Sequence, residues 1–483
     1  MFRRRFHVTD WAVLEPRSTL ALISEANLLE LRRSPARTLR RQLERQIRDA
    51  IRAGRLGPDS KLPPSRVLAN DLGVSRGVVT DAYAQLAAEG YLKTRTGSGT
   101  RVSRLAVPRE GPSTEREAPA AKIEYDLRPG QPDLTTFPRH RWQSEVARVL
   151  RTIPPRALTY PDPLGVEELR TAVADYLNRV RAAEAKAQNV IICPSTTYGI
   201  STLWRALRQL GSRRVGVENP GWRWQSRTAM QEGLQAVPIN VDEGGLIVEE
   251  LEAAKVDAVC ITPAHQFPTG VVMTSERRAA VIRWARRRGA LIVEDDYDSE
   301  FRFERQAVAS LQGMAPDLTA FCGTTSKTIA PALRLAWMLV PTRLLLAVRR
   351  QYIDTWPGPP VIDQFAAAAF IARGEFDRHV RSLRRQYRLR RDALVSTLSR
   401  DAPEVRIGGI PAGLHVIAWL SPGTDDVAVA AAARAKGVAV HSLHHHCFAS
   451  EGVGPALVLG YALLSESRLR RAAAILATVI GTP

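Results

Sequence analysis

From Leu39, apolar residues recur every four positions at Leu39, Leu43, Ile47 and Ile51, with Arg and Gln on the other side. That recurrence drifts slowly round one helix face and predicts an amphipathic helix, which Gly54 and Gly57 end. Leu62-Pro63-Pro64-Ser65 then supplies a rigid entry with Ser65 as N-cap. Val67, Leu68, Ala69 and Leu72 predict a short helix stopped at Gly73. A further helix starts immediately, with Ser75 placed to cap it, Val78, Val79, Ala82, Tyr83 and Leu86 on its inner face and Gly90 closing it. The run from Thr96 to Val102 reads as a glycine hairpin tip between two short strands with basic residues on both flanks.

Helix, tight glycine turn, helix and hairpin follow in the order of a winged helix-turn-helix. In that geometry the second helix enters the major groove with its N-terminal residues foremost. Ser75, Arg76 and Gly77 then meet base edges or phosphates, and Arg66 contacts the backbone. Arg95, Gly97, Ser98 and Gly99 form a DNA-contacting wing. Any one of these charges alone reads as well as a solvated helix face; the ordered set carries the expectation of double-stranded DNA.

Beyond a linker of almost no apolar content between Ser103 and Lys122, the pattern changes. Short apolar runs, at residues 189–192, 214–217, 258–261 and 290–293, alternate with helical periodicity, which predicts an α/β domain with a largely parallel sheet. Ligands collect at the carboxyl ends of such strands, so the polar residues just after each run are the candidates. Asp295, Asp296 and Tyr297 follow one run. Pro194-Ser195-Thr196-Thr197 follows another and opens a helix, where free N–H groups suit a phosphate. Glu218-Asn219-Pro220-Gly221-Trp222 follows a third and offers a ring that can stack. Lys327 sits in a small-residue turn, Gly323-Thr324-Thr325-Ser326-Lys327-Thr328, with Arg334 seven residues on.

An amine in a small-residue turn, a carboxylate for a ring nitrogen, a phenol for a ring oxygen and hydroxyls for a phosphate together suit pyridoxal 5'-phosphate. Read singly, Asp295 is as readily a turn residue and Trp222 a core or surface ring. His444-His445-His446 are three adjacent imidazoles that cannot all aim at one metal from a regular strand. They are expected to form a loop lining an effector pocket, and no metal is expected.

Composition fits this division. A chain of 483 residues, 45% apolar and 24% charged, is too long for one ordinary core. Of the net charge of +19, the first 104 residues contribute +10, from 20 Lys/Arg against 10 Asp/Glu. Excess charge therefore concentrates where DNA contact is expected. Cys193, Cys260, Cys322 and Cys447 are scattered, with no C-x-x-C pair, which points away from a zinc site or disulfide framework and toward a reducing cytoplasm. No run reaches the roughly 18 apolar residues of a membrane span.

Residues 36–103 resemble the winged-helix domain of the GntR regulators, through Gly54-Arg55-Leu56, Lys61-Leu62-Pro63, Leu72-Gly73-Val74-Ser75-Arg76 and Glu89-Gly90-Tyr91-Leu92. Residues 125–479 resemble the fold type I, aminotransferase-like domain attached to such a head in the MocR/GabR subfamily. The pieces that carry this likeness are Tyr160-Pro161-Asp162-Pro163-Leu164-Gly165, the run Thr262 to Gly270 containing His265, the run Glu294 to Phe301, and the Lys327 segment through Leu335. The resemblance implies a multi-domain protein: an extension over 1–35, a winged helix over 36–103, a linker over 104–122 and a pyridoxal-phosphate-binding domain over 123–483. It implies Lys327 as the aldimine lysine, Asp295 on the pyridine nitrogen and Tyr297 on the ring oxygen. It implies Trp222 stacking and Ser326 with Arg334 on phosphate; Ser195, Thr196, Thr197, His265 and Thr324 complete the cofactor set. Tyr160 would reach the neighbouring subunit's cofactor, so a homodimer is implied.

Departures bear on the function. Pro194-Ser195-Thr196-Thr197 stands where the family usually has Ser-Gly-Ala-Gln, Trp222 replaces a common Tyr, and Ala336 replaces a Gly. The run Ala456 to Tyr461 lacks the carboxylate-binding Arg that true aminotransferases of this fold generally carry there. The expectation is a cytoplasmic, dimeric transcriptional regulator sensing pyridoxal phosphate, or an amine or amino acid bound through it, at Lys327. An active aminotransferase and a pure vitamin B6 sensor are the alternatives.

Overall fold

The computed structural model describes residues 38–95, 99–103, 123–303, 309–355, 358–448 and 453–481. The extension over 1–35, the wing tip at Gly97 and Ser98 and the linker 104–122 lie outside these residues. The chain divides into two compact units, Met1–Ala118 and Pro119–Pro483.

Among the described residues the first unit shows three helices, α1 (Leu39–Arg52), α2 (Ser65–Asp71) and α3 (Arg76–Ala88), then strands β1 (Leu92–Arg95) and β2 (Gly99–Val102). Leu43, Ile47 and Ile51 of α1 close on Leu68 of α2, on Val79, Ala82 and Leu86 of α3, and on Leu92 and Val102 of the hairpin. Each such Leu, Ile or Val side chain, withdrawn from water, contributes roughly 1.5–3 kcal/mol. Between α2 and α3 the chain reverses at Gly73, whose φ of +62° is a left-handed conformation that suits glycine. Tyr83 ties α3 to the entry of α2 by donating to the Pro63 carbonyl at 3.0 Å. The hairpin is antiparallel, pairing Leu92 with Val102 and Arg95 with Gly99.

Two capping expectations are corrected. Pro64, not Ser65, is the N-cap of α2, because the proline already holds the extended backbone that a cap requires. Ser75 does occupy the N-cap of α3, yet its side chain makes no capping hydrogen bond.

The second unit is built on an eight-stranded sheet. Its strands are β3 (Val190–Cys193), β4 (Arg214–Asn219), β5 (Gln235–Asp242), β6 (Gly245–Leu246), β7 (Ala258–Ile261), β8 (Leu291–Asp296), β9 (Thr319–Thr324) and β10 (Ala336–Leu339). The spatial order is β3-β10-β9-β8-β7-β4-β5-β6. The five central strands from β9 to β5 run parallel, whereas β10 is antiparallel to both neighbours and β6 to β5. The sheet is therefore mixed at its edges and parallel where the chemistry lies. One face packs on Leu203, Trp204 and Ala229, the other on Val281, Trp284 and Leu311.

Two helices flank the candidate site, α4 (Thr196–Gln209) after β3 and α5 (Arg223–Gln231) after β4. A long helix, α6 (Glu375–Asp401), leads to a smaller antiparallel sheet of β11 (Arg406–Gly408), β12 (His415–Trp419), β13 (His441–Ser442) and β14 (Ala456–Gly460) in the order β11-β12-β14-β13. All four cysteines are free and buried. Among the described residues no helix is long and apolar enough to cross a membrane.

Candidate functional site

In the first unit the candidate groups among the described residues face water. Arg66, Ser75, Arg76 and Gly77 are all exposed, as is Gly99 on the hairpin. The first turn of α3 carries no acidic residue, so the partial positive charge of its N-terminus is left available to an anion. Arg76 is lightly held: its Nε donates to Ser65 Oγ at a long 3.4 Å.

In the second unit the candidates converge at the carboxyl ends of the parallel strands. Register places Asp295 beside Cys322 and Asp296 beside Gly323, so the end of β8 lies directly against the turn that carries Lys327. Lys327 Nζ donates to the Gly130 carbonyl at 2.7 Å. Burial pushes its pKa down, opposed by the negative charges of Asp298 and Asp295. An amine so placed sheds its proton, and becomes a nucleophile, more readily than a solvated lysine.

Asp295 is 2% exposed. Its Oδ2 accepts from Gln225 Nε2 at 3.1 Å, while Oδ1 is buried with no hydrogen-bond partner. Burial raises its pKa to about 6, against the opposing hydrogen bond from Gln225. The sheet thus holds a carboxylate oxygen out of water with nothing to accept from, a costly arrangement that a protonated ring nitrogen relieves. Tyr297 Oη lies 3.2 Å from His265 Nδ1, and burial holds its phenol well above the ordinary range.

The remaining candidates divide. Ser195 caps α4 by accepting from Tyr198 N at 3.1 Å, with Thr196 and Thr197 in the first turn. Trp222 is half-buried at the N-cap of α5. Thr324 Oγ1 donates to Ser326 Oγ at 2.9 Å and accepts from Ser326 N at 3.0 Å, so this hydroxyl shapes the turn. Arg334 is exposed with φ +51°, and Tyr160 is 87% exposed.

The three histidines form a short 3-10 turn rather than an open loop. His446 lines a cavity of about 240 Å³ with Trp222, and His444 Nδ1 meets Asp426 Oδ1 at 2.7 Å, a partner from 18 residues upstream. Among the described residues, His265, Asp298 and His415 bring three donor atoms within 4.8 Å of one another. Gln225, Gly130 and Asp298 were not among the sequence candidates. Asp298 stood inside a quoted run, but Gln225 and Gly130 carry no local signal, since their partners lie 70 and 197 residues away.

A winged helix with an exposed Arg76 at the recognition-helix terminus, together with a sheet whose strand ends set a half-buried amine near an unsatisfied carboxylate, defines a DNA-binding regulator fused to an aminotransferase-like domain. Residues 39–102 match the family of bacterial regulatory proteins, gntR family, and residues 127–476 match aminotransferase class I and II. The chain is 34% identical to the HTH-type pyridoxine biosynthesis transcriptional regulator PdxR of Corynebacterium glutamicum, over 89% of this chain and 93% of that one. It is 32% identical to the probable rhizopine catabolism regulatory protein MocR of Rhizobium meliloti, over 92% and 94% respectively. Among solved structures it resembles an archaeal alanine:glyoxylate aminotransferase at TM-score 0.68 and 25% identity, covering 74% of this chain and 91% of that one. The chain belongs to the MocR-type transcriptional regulators of the GntR family, with a class I/II aminotransferase domain.

Proposed function

We propose that the second unit takes up pyridoxal 5'-phosphate at Lys327 and acts as a sensor, while residues 36–103 bind a double-stranded operator and residues 104–122 link the two. The observation that carries this reading is the unpartnered, buried Oδ1 of Asp295 at a strand end adjoining the Lys327 turn. When bound, pyridoxal phosphate supplies an aldehyde that bonds reversibly to primary amines.

This chain's residues would do the rest. Lys327 supplies the resident amine, Asp295 accepts from the ring nitrogen, and Trp222 offers its ring face. Thr196 and Thr197 N–H groups, Ser195, Thr324, Ser326 and Arg334 hold the phosphate, and Tyr297 meets the ring oxygen. The exposed ring of Tyr160 supports a homodimer in which it reaches the partner's site. The pyridoxine biosynthesis in the name of the Corynebacterium relative supports the same ligand. The regulator works in the cytoplasm, and its effector is the cofactor or an amine or amino acid bound through it. Such a ligand shifts DNA binding only if it binds two shapes of the protein unequally.

The test is anisotropy of DNA from the protein's own upstream region at fixed salt, with and without pyridoxal phosphate, beside Lys327→Ala. A cofactor-dependent change in specific binding that the variant loses supports the sensor. Unchanged binding sends the reading back to amines and transamination.

A further inference from the structure

The run Thr262 to Gly270 is more firmly built than a connecting loop requires. Thr262 Oγ1 donates to the buried Glu218 Oε2 at 2.6 Å and accepts from Phe267 N at 3.1 Å. Gln266 Oε1 accepts from Thr269 N at 3.0 Å and from Thr269 Oγ1 at 2.7 Å, while Gln266 Nε2 donates to the Pro220 carbonyl at 2.9 Å. What this framework presents inward is His265, only 3% exposed.

His265 Nδ1 lies 3.2 and 3.0 Å from the two oxygens of Asp298 and 3.2 Å from Tyr297 Oη. The space beside it is reserved by Gly413, where an added Cβ would stand 2.2 Å from His265 Cε1 and 2.4 Å from Asp298 Oδ2. His415, with its ring centroid 5.1 Å away, points Nε2 at the Pro268 carbonyl at 3.1 Å. A carbonyl only accepts, so that nitrogen carries a proton.

The proton positions at His265 follow from the same inventory. An ionised carboxylate has no proton to give, so with Asp298 ionised the hydrogen must sit on His265 Nδ1. Tyr297 Oη, sharing that nitrogen, then accepts, and its own proton is turned elsewhere. Resting on the proposed cofactor, we infer that His265 is a positioning residue: its Nδ1–H, fixed by Asp298, orients Tyr297 so that the phenol proton is offered to the ring oxygen of a cofactor at Lys327. His265 therefore acts through Tyr297, and touching the cofactor is not its task.

The experiment is the absorption spectrum at one pH of the full-length protein loaded with pyridoxal phosphate, in wild type, His265→Ala, His265→Asn, Tyr297→Phe and the His265→Ala/Tyr297→Phe pair. Loss of one such hydrogen bond changes the ratio of protonated to unprotonated spectral forms by about five-fold. That change is expected for His265→Ala and Tyr297→Phe alike, with His265→Ala adding nothing in the Tyr297→Phe background. Asn places an amide N–H near the position of Nδ1, and most of the wild-type ratio returns.

An unchanged ratio in His265→Ala, or fully additive changes in the pair, overturns the inference. Should His265→Ala not fold, Asp298→Asn takes its place in the same cycle, since it removes the acceptor that fixes the Nδ1 proton. A wild type that takes up no pyridoxal phosphate overturns the cofactor reading and this inference with it; uptake with additive changes overturns the inference alone.

Discussion

Ser75 and Ser195 each stand at the N-cap of a helix, one in each unit, and use the position in opposite ways. Ser195 turns its hydroxyl back onto Tyr198 N at 3.1 Å, so α4 starts with a satisfied cap. Ser75 makes no such bond and is exposed, so α3 starts with its hydroxyl facing water beside the exposed Arg76 and Gly77. The same residue type at the same local position commits its oxygen to the fold in one unit and leaves it exposed in the other. More widely, Arg66, Ser75, Arg76, Gly77 and Gly99 of the head are exposed, whereas Asp295 and its neighbours are withdrawn from water and shifted by it. Substitution in the head should separate binding from stability, and substitution around Lys327 should couple them.

The largest effect tests the interior side of that contrast. Lys327→Ala should abolish fixation of pyridoxal phosphate to the chain by borohydride, read as complete loss of the added mass on the intact protein. DNA binding in the absence of cofactor should stay at the wild-type level, because the substitution lies in the other compact unit.

Asp295→Asn should move stability and cofactor uptake in opposite directions. Because burial raises the folded pKa of Asp295 to about 6, its neutral form is the one the fold prefers. The stability it contributes is full below the ordinary carboxylate pKa and is lost as pH rises through about 6. At pH 7 the cofactor-free wild type therefore carries a penalty that Asn removes, on the order of 1–3 kcal/mol. Thermal melts from pH 4.5 to 8 should show the variant gaining on wild type as pH rises, while its affinity for pyridoxal phosphate falls by about 100-fold or more. A variant no more stable than wild type at pH 7 would break the proposed coupling.

Arg76→Ala probes the exposed side. Its long contact to Ser65 is worth little, so the melting temperature should stay within about 1 °C of wild type. Specific DNA affinity should fall by about 5- to 100-fold, with a shallower salt dependence if the contact is to phosphate.

What was legible beforehand follows the same division. The four-residue recurrence of α1 and the glycine stops after α2 and α3 are local signals, and the three helices and hairpin lie where those signals put them. The central strands were visible as apolar runs because a parallel sheet is buried on both faces. The antiparallel placement of β10 was not, since Ala336 to Leu339 reads the same in either direction. Within the site, Lys327, Asp295 and Tyr297 announced themselves at strand ends. Gln225 and Gly130 did not, because their roles arise only when distant segments fold together. Cap chemistry failed at Ser65 and Ser75 for a related reason: the N-cap preference of serine describes the helix alone, whereas Pro64 takes the cap position before Ser65 and the Ser75 side chain makes no capping bond.

The smallest predicted effect separates those two serines. Ser195→Ala removes a formed cap and should destabilise the second unit by about 1 kcal/mol. Ser75→Ala removes no intramolecular bond and should change the stability of the head by less than about 0.5 kcal/mol. Denaturant midpoints measured on the two variants check this directly. DNA affinity should rank the other way, lower for Ser75→Ala and unchanged for Ser195→Ala in cofactor-free protein. If Ser75→Ala instead costs as much stability as Ser195→Ala, its hydroxyl caps α3 in solution, and the free oxygen assigned to DNA contact is already taken by the helix.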